Sequence, residues 1–139
     1  MEFYAHKGNK VTIGSLIIRT NKGTAAGSEI VASSLQDHGR ALIIGSTTLM
    51  RGSIQTVFPL ADSSAIRLTT AYLHRSSGAP IENLGVVPDI VIDIQNQKLI
   101  TELEQDDAVR LACQILDKSV SSKIDDLKAA AQGLIQGSN

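Results

Sequence analysis

Apolar and polar residues follow one another along this chain in patterns that predict an α/β fold. The segment 11–20 ends in the apolar run "LII", which is typical of a strand covered on both faces. A second short buried strand is predicted over 41–45, and a helix over 28–38 lies between the two. If these strands are parallel, they and the helix form a right-handed crossover.

The helix predicted over 28–38 has apolar and small residues at helical spacing, which indicates the face that packs on the core. The members of this stripe are Ile30, Val31, Ser34 and Leu35. Gly39 follows the helix and suits its end, because glycine readily adopts the left-handed conformation found after a last helical turn.

Beyond the second strand, the pattern predicts a hairpin and one more strand. The hairpin arms are predicted over 53–60 and 65–74, and the polar residues "ADSS" form the turn between them. A strand is predicted over 90–94, where isoleucines alternate with other residues.

The C-terminal part reads as helical, and 98–139 is predicted to be a helical extension of a single domain spanning 1–139. One helix begins at Asp106 and Asp107 and ends at Lys118, an order of charge that complements the helix macrodipole. Two stripes of core-facing residues are predicted here. They are Ala108, Leu111, Ala112, Ile115 and Leu116 in the first helix, and Ile124, Leu127, Ala131 and Leu134 in the last.

Composition narrows the classes of function. The 139 residues suffice for one domain, and with 42% hydrophobic but only 3% aromatic residues the core must be aliphatic. The formal net charge of −1 argues against a nucleic-acid or anionic-lipid partner. No apolar run approaches the roughly 18 residues of a membrane span. The first residues, "MEFYAH", lack the features of a signal peptide, so none is expected in this chain.

Cys113 is the only cysteine, which excludes an intrachain disulfide and a cysteine-based zinc site. It falls within the first C-terminal helix and is predicted to be a small packed residue. No metal site and no cofactor are expected from the sequence.

Candidate chemistry lies in the stretch "NKGTAAGSEIVASSLQDHGRALIIGSTTLMRGSIQT", residues 21–56. A small-residue turn before a helix exposes backbone N–H groups that favour developing negative charge, and a serine there can be a nucleophile. The alternative is that Gly23 and Gly27 only allow the chain to turn. A phosphate cradle is disfavoured, because the stretch lacks both the P-loop ending and the dinucleotide-binding glycine spacing.

This stretch, continued by "SAIRLTTAYLHRSSGAPIENLGVVPDI", resembles the carboxyl-terminal processing proteases, also called tail-specific proteases. The motifs "SEI", "LQDHGRA", "GSIQ", "RLTTA" and "GVVPDI" carry the resemblance, in the family's order, over residues 16–94. It implies a serine endopeptidase with a Ser–Lys dyad, polypeptide C-terminal tails as substrates and a periplasmic or otherwise exported location. It also implies a curved mixed sheet with packed helices, related to the crotonase-like spiral core.

The resemblance assigns roles to four positions. The nucleophilic serine of the family falls three residues before its glutamate, and this position is Ala26 here. The general-base lysine falls at Arg51, and the glutamine that orients the lysine falls at Gln55. Gly27, directly after the nucleophile position, matches a donor of the oxyanion hole.

Two of these positions depart from the family's chemistry. Alanine has no oxygen to attack with, and arginine, with a pKa above about 12, cannot accept the proton of a nucleophile. Because the loss of either partner removes rate on the order of 10⁴-fold in comparable hydrolases, the chain is predicted to be inactive as given. Ser28 is disfavoured as a substitute nucleophile, since it lies two residues further into the helix.

Two interpretations of Ala26 and Arg51 remain open, an engineered Ser→Ala change and a natural pseudoprotease. A pseudoprotease would act as a peptide-binding or scaffold module. The family's PDZ domain and its upstream oxyanion segment are not found in the sequence, so the chain is interpreted as the C-terminal part of a catalytic domain. Self-association of such a piece is a third hypothesis.

Overall fold

The structure is a computed structural model that describes residue 8 and residues 14–92 and 106–136. The α/β class predicted from the sequence is confirmed. The predicted strand residues 11–13 and 93–94 lie outside the described residues. The elements are, in chain order, β1 (Ile17–Thr20), α1 (Gly27–Asp37), β2 (Leu42–Gly45), β3 (Ser53–Pro59), β4 (Ala65–Tyr72), β5 (Ile90–Val91), α2 (Asp107–Lys118) and α3 (Ile124–Gln136).

A three-stranded parallel sheet occupies the centre of the fold, in the order β1-β2-β5. Ile17 pairs with Leu42 at one end of the β1–β2 ladder, and Thr20 pairs with Gly45 at the other. The predicted strand–helix–strand unit is thus present, with α1 connecting two parallel strands. β3 and β4 form a separate antiparallel hairpin, so the described strands make two sheets and not one mixed sheet.

The core lies on both faces of β2, whose four residues are all buried. Successive side chains of a strand point to opposite faces, so Leu42 and Ile44 share one face and Ile43 the other. Leu42 and Ile44 pack against α2 and α3 through Ile115 and Leu127. Ile43 packs on the α1 side of the sheet. The predicted stripes of α2 and α3 therefore do face the core, except that Leu116 is 38% exposed.

The predicted stripe of α1 is right at Leu35, which packs against the core, and wrong at Ile30 and Val31. Ile30 is 38% exposed and Val31 57% exposed, and the buried residues of the helix are Glu29, Ala32 and Ser33. Small side chains let this helix approach the sheet, so the face with the bulkier β-branched residues is not the packed one. The prediction that Cys113 is packed is also wrong. Cys113 is exposed, because the stripe that contains Ile115 turns the opposite side of α2 away from the sheet.

The β3–β4 hairpin exposes both of its faces, and all eight residues of β4 are exposed. Its base is anchored to the end of α1. The Arg75 guanidinium contacts the Asp37 carboxylate at 2.5 Å, and the Ser77 N–H donates to the same carboxylate at 3.0 Å. The hydrogen bond from Arg75 holds the pKa of Asp37 below its usual value.

None of the helices among the described residues is both long and apolar enough to cross a bilayer.

Candidate active site

Position 26 lies at the start of α1 in an unusual backbone conformation. Ala26 has φ 50° and ψ −115°, a region that residues other than glycine rarely adopt. Backbone strain of this kind costs about 1–3 kcal/mol and clusters at active sites and ligand clamps. The N–H of the next residue, Gly27, donates to no acceptor among the described residues. The turn therefore presents a free backbone donor at a helix N-terminus, where it favours an anionic atom.

The Glu29 carboxylate joins this turn to a second loop. Its Oε2 accepts the N–H of Ala26 at 2.8 Å and the N–H of Arg51 at 3.1 Å. Because both nitrogens contact one oxygen at these distances, they lie within about 6 Å of each other. The two positions that the resemblance singles out for nucleophile and base are thus adjacent in their main chains.

The other oxygen of the same carboxylate serves the loop that precedes Arg51. Glu29 Oε1 accepts the Met50 N–H at 2.9 Å and the Thr48 hydroxyl at 2.5 Å. Glu29 is completely buried, and the four hydrogen bonds satisfy a carboxylate that has no contact with solvent. Met50 has φ 66°, so both loops that meet at Glu29 contain a residue with positive φ. The carboxylate therefore holds two strained segments in one arrangement.

Further contacts fix the 48–52 loop from outside. Thr48 is 2% exposed, and its hydroxyl accepts the Val86 N–H at 2.8 Å. Glu82 accepts the Gly52 N–H at 2.6 Å. A Cβ at Gly52 would lie 2.4 Å from the Glu82 nitrogen, so only glycine permits this approach. The loop that contains Arg51 is consequently held by hydrogen bonds to three residues, which are Glu29, Glu82 and Val86.

Gly27 and Arg51 line two different clefts. A cleft of about 730 Å³ opens beside the N-terminus of α1, and Thr24, Gly27 and Ser28 are among its lining residues. A second cleft of about 380 Å³ is lined by Arg51, Ser53, Gln55 and Arg67. The structure therefore brings Arg51 and Gln55 into one cleft and Gly27 into the other, and Ala26 lines neither of these two.

The roles of three residues that position this site were not predicted from the sequence, and these residues are Glu29, Thr48 and Glu82. Glu29 had one usable signal, since an acidic residue in the first turn of a helix often accepts the N–H of the residue before the helix. Thr48 and Glu82 had no such signal. Metal binding finds no support in the part of the chain that the structure describes, where no group of three or more His, Cys, Asp or Glu side chains converges.

Ala26→Gly is expected to raise the free energy of unfolding by about 1 kcal/mol, because glycine relieves the strain at φ 50°. Urea unfolding of the chain measures the change. Ala32→Gly is the matched control, since Ala32 is buried inside α1 and its loss should lower the free energy of unfolding by about 1–2 kcal/mol. A loss of stability with both variants would contradict the strain at position 26.

Comparison with known proteins finds relatives for most of the chain. Residues 2–92 match the model of Peptidase family S41. A carboxy-terminal-processing protease of Bartonella bacilliformis is 45% identical over 93 residues, which cover 67% of this chain and 21% of that protein. A chloroplastic C-terminal processing peptidase of Tetradesmus obliquus is 33% identical over 124 residues, covering 88% of this chain and 25% of that protein.

The chain is also similar to a solved structure. A photosystem II D1 C-terminal processing protease aligns with a TM-score of 0.59 and 35% sequence identity, over 79% of this chain and 26% of that one. The chain thus spans between a fifth and about a quarter of the length of these three proteins.

Proposed function

This chain belongs to peptidase family S41, and from that premise we propose that it is part of the catalytic domain of a carboxyl-terminal processing serine endopeptidase. In this proposal residues 1–139 belong to one domain, 98–139 are its helical extension, and the parallel sheet is part of a curved crotonase-like core. Its substrates are the C-terminal tails of polypeptides. The protein works in a periplasmic or otherwise exported compartment, and the Tetradesmus obliquus relative is named as chloroplastic.

The observation that supports the proposal best is the shared oxygen of Glu29, which draws the main chains of positions 26 and 51 together. In the proposed reaction a serine hydroxyl at position 26 attacks the scissile carbonyl, and a lysine amine at position 51 takes its proton. The Gly27 N–H stabilises the oxyanion, and Gln55 orients the amine. The lysine gives this proton to the leaving amine as the peptide bond breaks, and water then hydrolyses the acyl-enzyme and restores the serine hydroxyl.

The chain as given has no route through this dyad, because Ala26 lacks the attacking oxygen and the Arg51 guanidinium keeps its proton. We therefore propose that it is inactive as a peptidase. The effect is chemical and not structural, since both positions enter the Glu29 network through backbone N–H groups that any residue except proline supplies.

Restoring both side chains tests the proposal. The double variant Ala26→Ser/Arg51→Lys, in the full-length protein that carries this chain, is expected to shorten an unstructured polypeptide from its C-terminus. Each single variant is expected to stay on the order of 10⁴-fold slower, because a dyad works as a unit. Mass spectrometry of the products measures the cleavage. A folded double variant that leaves the substrate intact and forms no acyl adduct would contradict the assignment.

A peptide-binding pseudoprotease is the second candidate function, and the exposed hairpin favours it. Among the described residues, each strand of this two-stranded sheet has one edge without a partner strand, where an extended peptide can add by main-chain hydrogen bonds. Titration with C-terminal peptides, followed by backbone amide shifts, separates this function from a scaffold without a ligand. Self-association of this piece, through surfaces that the rest of the catalytic domain would cover, stays a prediction that sedimentation can check.

A further inference from the structure

We propose that the cleft lined by Arg51, Ser53, Gln55 and Arg67 binds a carboxylate, namely the free C-terminal carboxylate of a peptide that lies along the β3–β4 hairpin. This inference rests on the proposed function only in taking a polypeptide tail as the ligand. It gives Arg51 a positive role, recognition of an anion, in place of the lost role as a base.

The cleft is built from two strands and the loop before them. Arg51 precedes β3, Ser53 and Gln55 belong to β3, and Arg67 belongs to β4. In the hairpin register Val57 is opposite Arg67, two residues along β3 from Gln55. Residues two apart on a strand share a face, so the long Arg67 side chain reaches the Gln55 end of the cleft.

The part of the chain that the structure describes offers no ion pair to the positive charge of the cleft. Within the described ranges neither the Arg51 nor the Arg67 guanidinium has an ion-pair or hydrogen-bond partner. The carboxylate of Glu82, beside the loop, already accepts the Gly52 N–H at 2.6 Å. Other arginines of this chain are paired, as Arg75 is with Asp37. Two unpaired like charges in one cleft attract an anion and repel each other without it.

The available donors match a carboxylate in number and shape. A guanidinium offers parallel N–H groups at the spacing of the two carboxylate oxygens, which an ammonium does not. The side chains of Ser53 and Gln55 make no hydrogen bond with the described residues, so their hydroxyl and amide are free to donate. A cleft of about 380 Å³ accommodates the last residue of a peptide, whose preceding residues can pair with the edge of the hairpin.

Calorimetric titration of the chain with two peptides of identical sequence tests the proposal. One peptide carries a free C-terminal carboxylate and the other a C-terminal amide. We expect the free acid to bind about tenfold more tightly, and to weaken as salt is raised. Arg67→Gln and Arg51→Gln are each expected to lower the affinity for the free acid by about tenfold and to leave that for the amide unchanged.

Arg110→Gln is the matched control, because it removes the same charge from an exposed arginine of α2 that pairs with Asp107. It should leave both affinities unchanged. Arg67→Lys keeps the charge but not the paired N–H groups, so it should lose affinity for the free acid while its fold stays intact. Circular dichroism verifies that each variant is folded.

Equal affinity for the acid and the amide would overturn the proposal, and so would an unaltered affinity in folded Arg67→Gln. Acetate or inorganic phosphate that competes at the same concentration as the peptide would show a general anion site and overturn the assignment to a peptide terminus. Binding needs no hydroxyl at position 26. The chain can therefore discriminate the two peptides even if Ala26→Ser/Arg51→Lys cleaves nothing, and the two proposals fail separately.

Discussion

Glu29→Gln is expected to lower the free energy of unfolding by about 2–4 kcal/mol. Each oxygen of this buried carboxylate accepts two donors, and the amide group of glutamine can replace only one oxygen with an acceptor. With its NH₂ toward Ala26 and Arg51, the amide leaves two backbone N–H groups without an acceptor. Turned the other way, it leaves the Met50 N–H without one and forces the Thr48 hydroxyl to change from donor to acceptor. Because a domain is stable by only about 5–15 kcal/mol, this loss is large.

Glu82→Gln is the matched control for this prediction, since Glu82 also accepts a backbone N–H of the same loop but only one. We expect it to lower the free energy of unfolding by about 1 kcal/mol. Urea denaturation measures both variants, and the amide resonances of Met50 and Arg51 should move only in Glu29→Gln. Equal losses in the two variants would mean that Glu29 is one contact among many and not the junction of the two loops.

Gly45→Ala is expected to be the most damaging single substitution, with a loss of about 4 kcal/mol or more. Gly45 has φ 117°, and a Cβ there would lie 2.1 Å from the carbonyl oxygen of Thr20 on the neighbouring strand. That contact is with backbone, so no side chain can rotate to relieve it, and β2 would have to move away from β1.

Gly133→Ala is the same chemical change, but it is expected to stabilise the protein. Gly133 lies inside α3, and a Cβ there meets nothing within 4 Å, so alanine should raise the free energy of unfolding by about 0.8–1 kcal/mol. Thermal and urea unfolding of both variants measure the contrast. A Gly45→Ala protein that unfolds like the unmodified chain would contradict the close packing of β1 on β2.

The parts of the fold that could be predicted from the sequence are those whose pattern is local. The continuous apolar run "LII" predicts a buried strand, and its two isoleucines lie in β1. The stripe through Ile115 has helical spacing, and it faces the core. The packed face of α1 could be predicted in this way only in part. Leu35 packs against the core as its spacing predicts, but Ala32 and Ser33 are buried as well, and the helix buries an acidic residue that a hydrophobicity pattern assigns to solvent.

The resemblance names individual candidate positions, but the sequence does not predict how they are arranged. The resemblance pointed to Ala26 and Arg51, and the contact that joins them runs through Glu29 to a loop 22 residues away in sequence. No local spacing encodes such a contact. The same holds for Arg67, which lines one cleft with Arg51 because of the register of a hairpin that contains an irregularity between Ile54 and Gln55.

At positions 26 and 51 the Glu29 carboxylate accepts hydrogen bonds from backbone N–H groups and not from side chains. The geometry of the centre is therefore independent of the groups that perform its chemistry. In the proposed mechanism, the two reacting side chains can be exchanged without the loss of any of these hydrogen bonds. The proposal therefore separates the geometry of the centre from its chemistry, and the two substitutions Ala26→Ser and Arg51→Lys supply everything that the proposed dyad lacks.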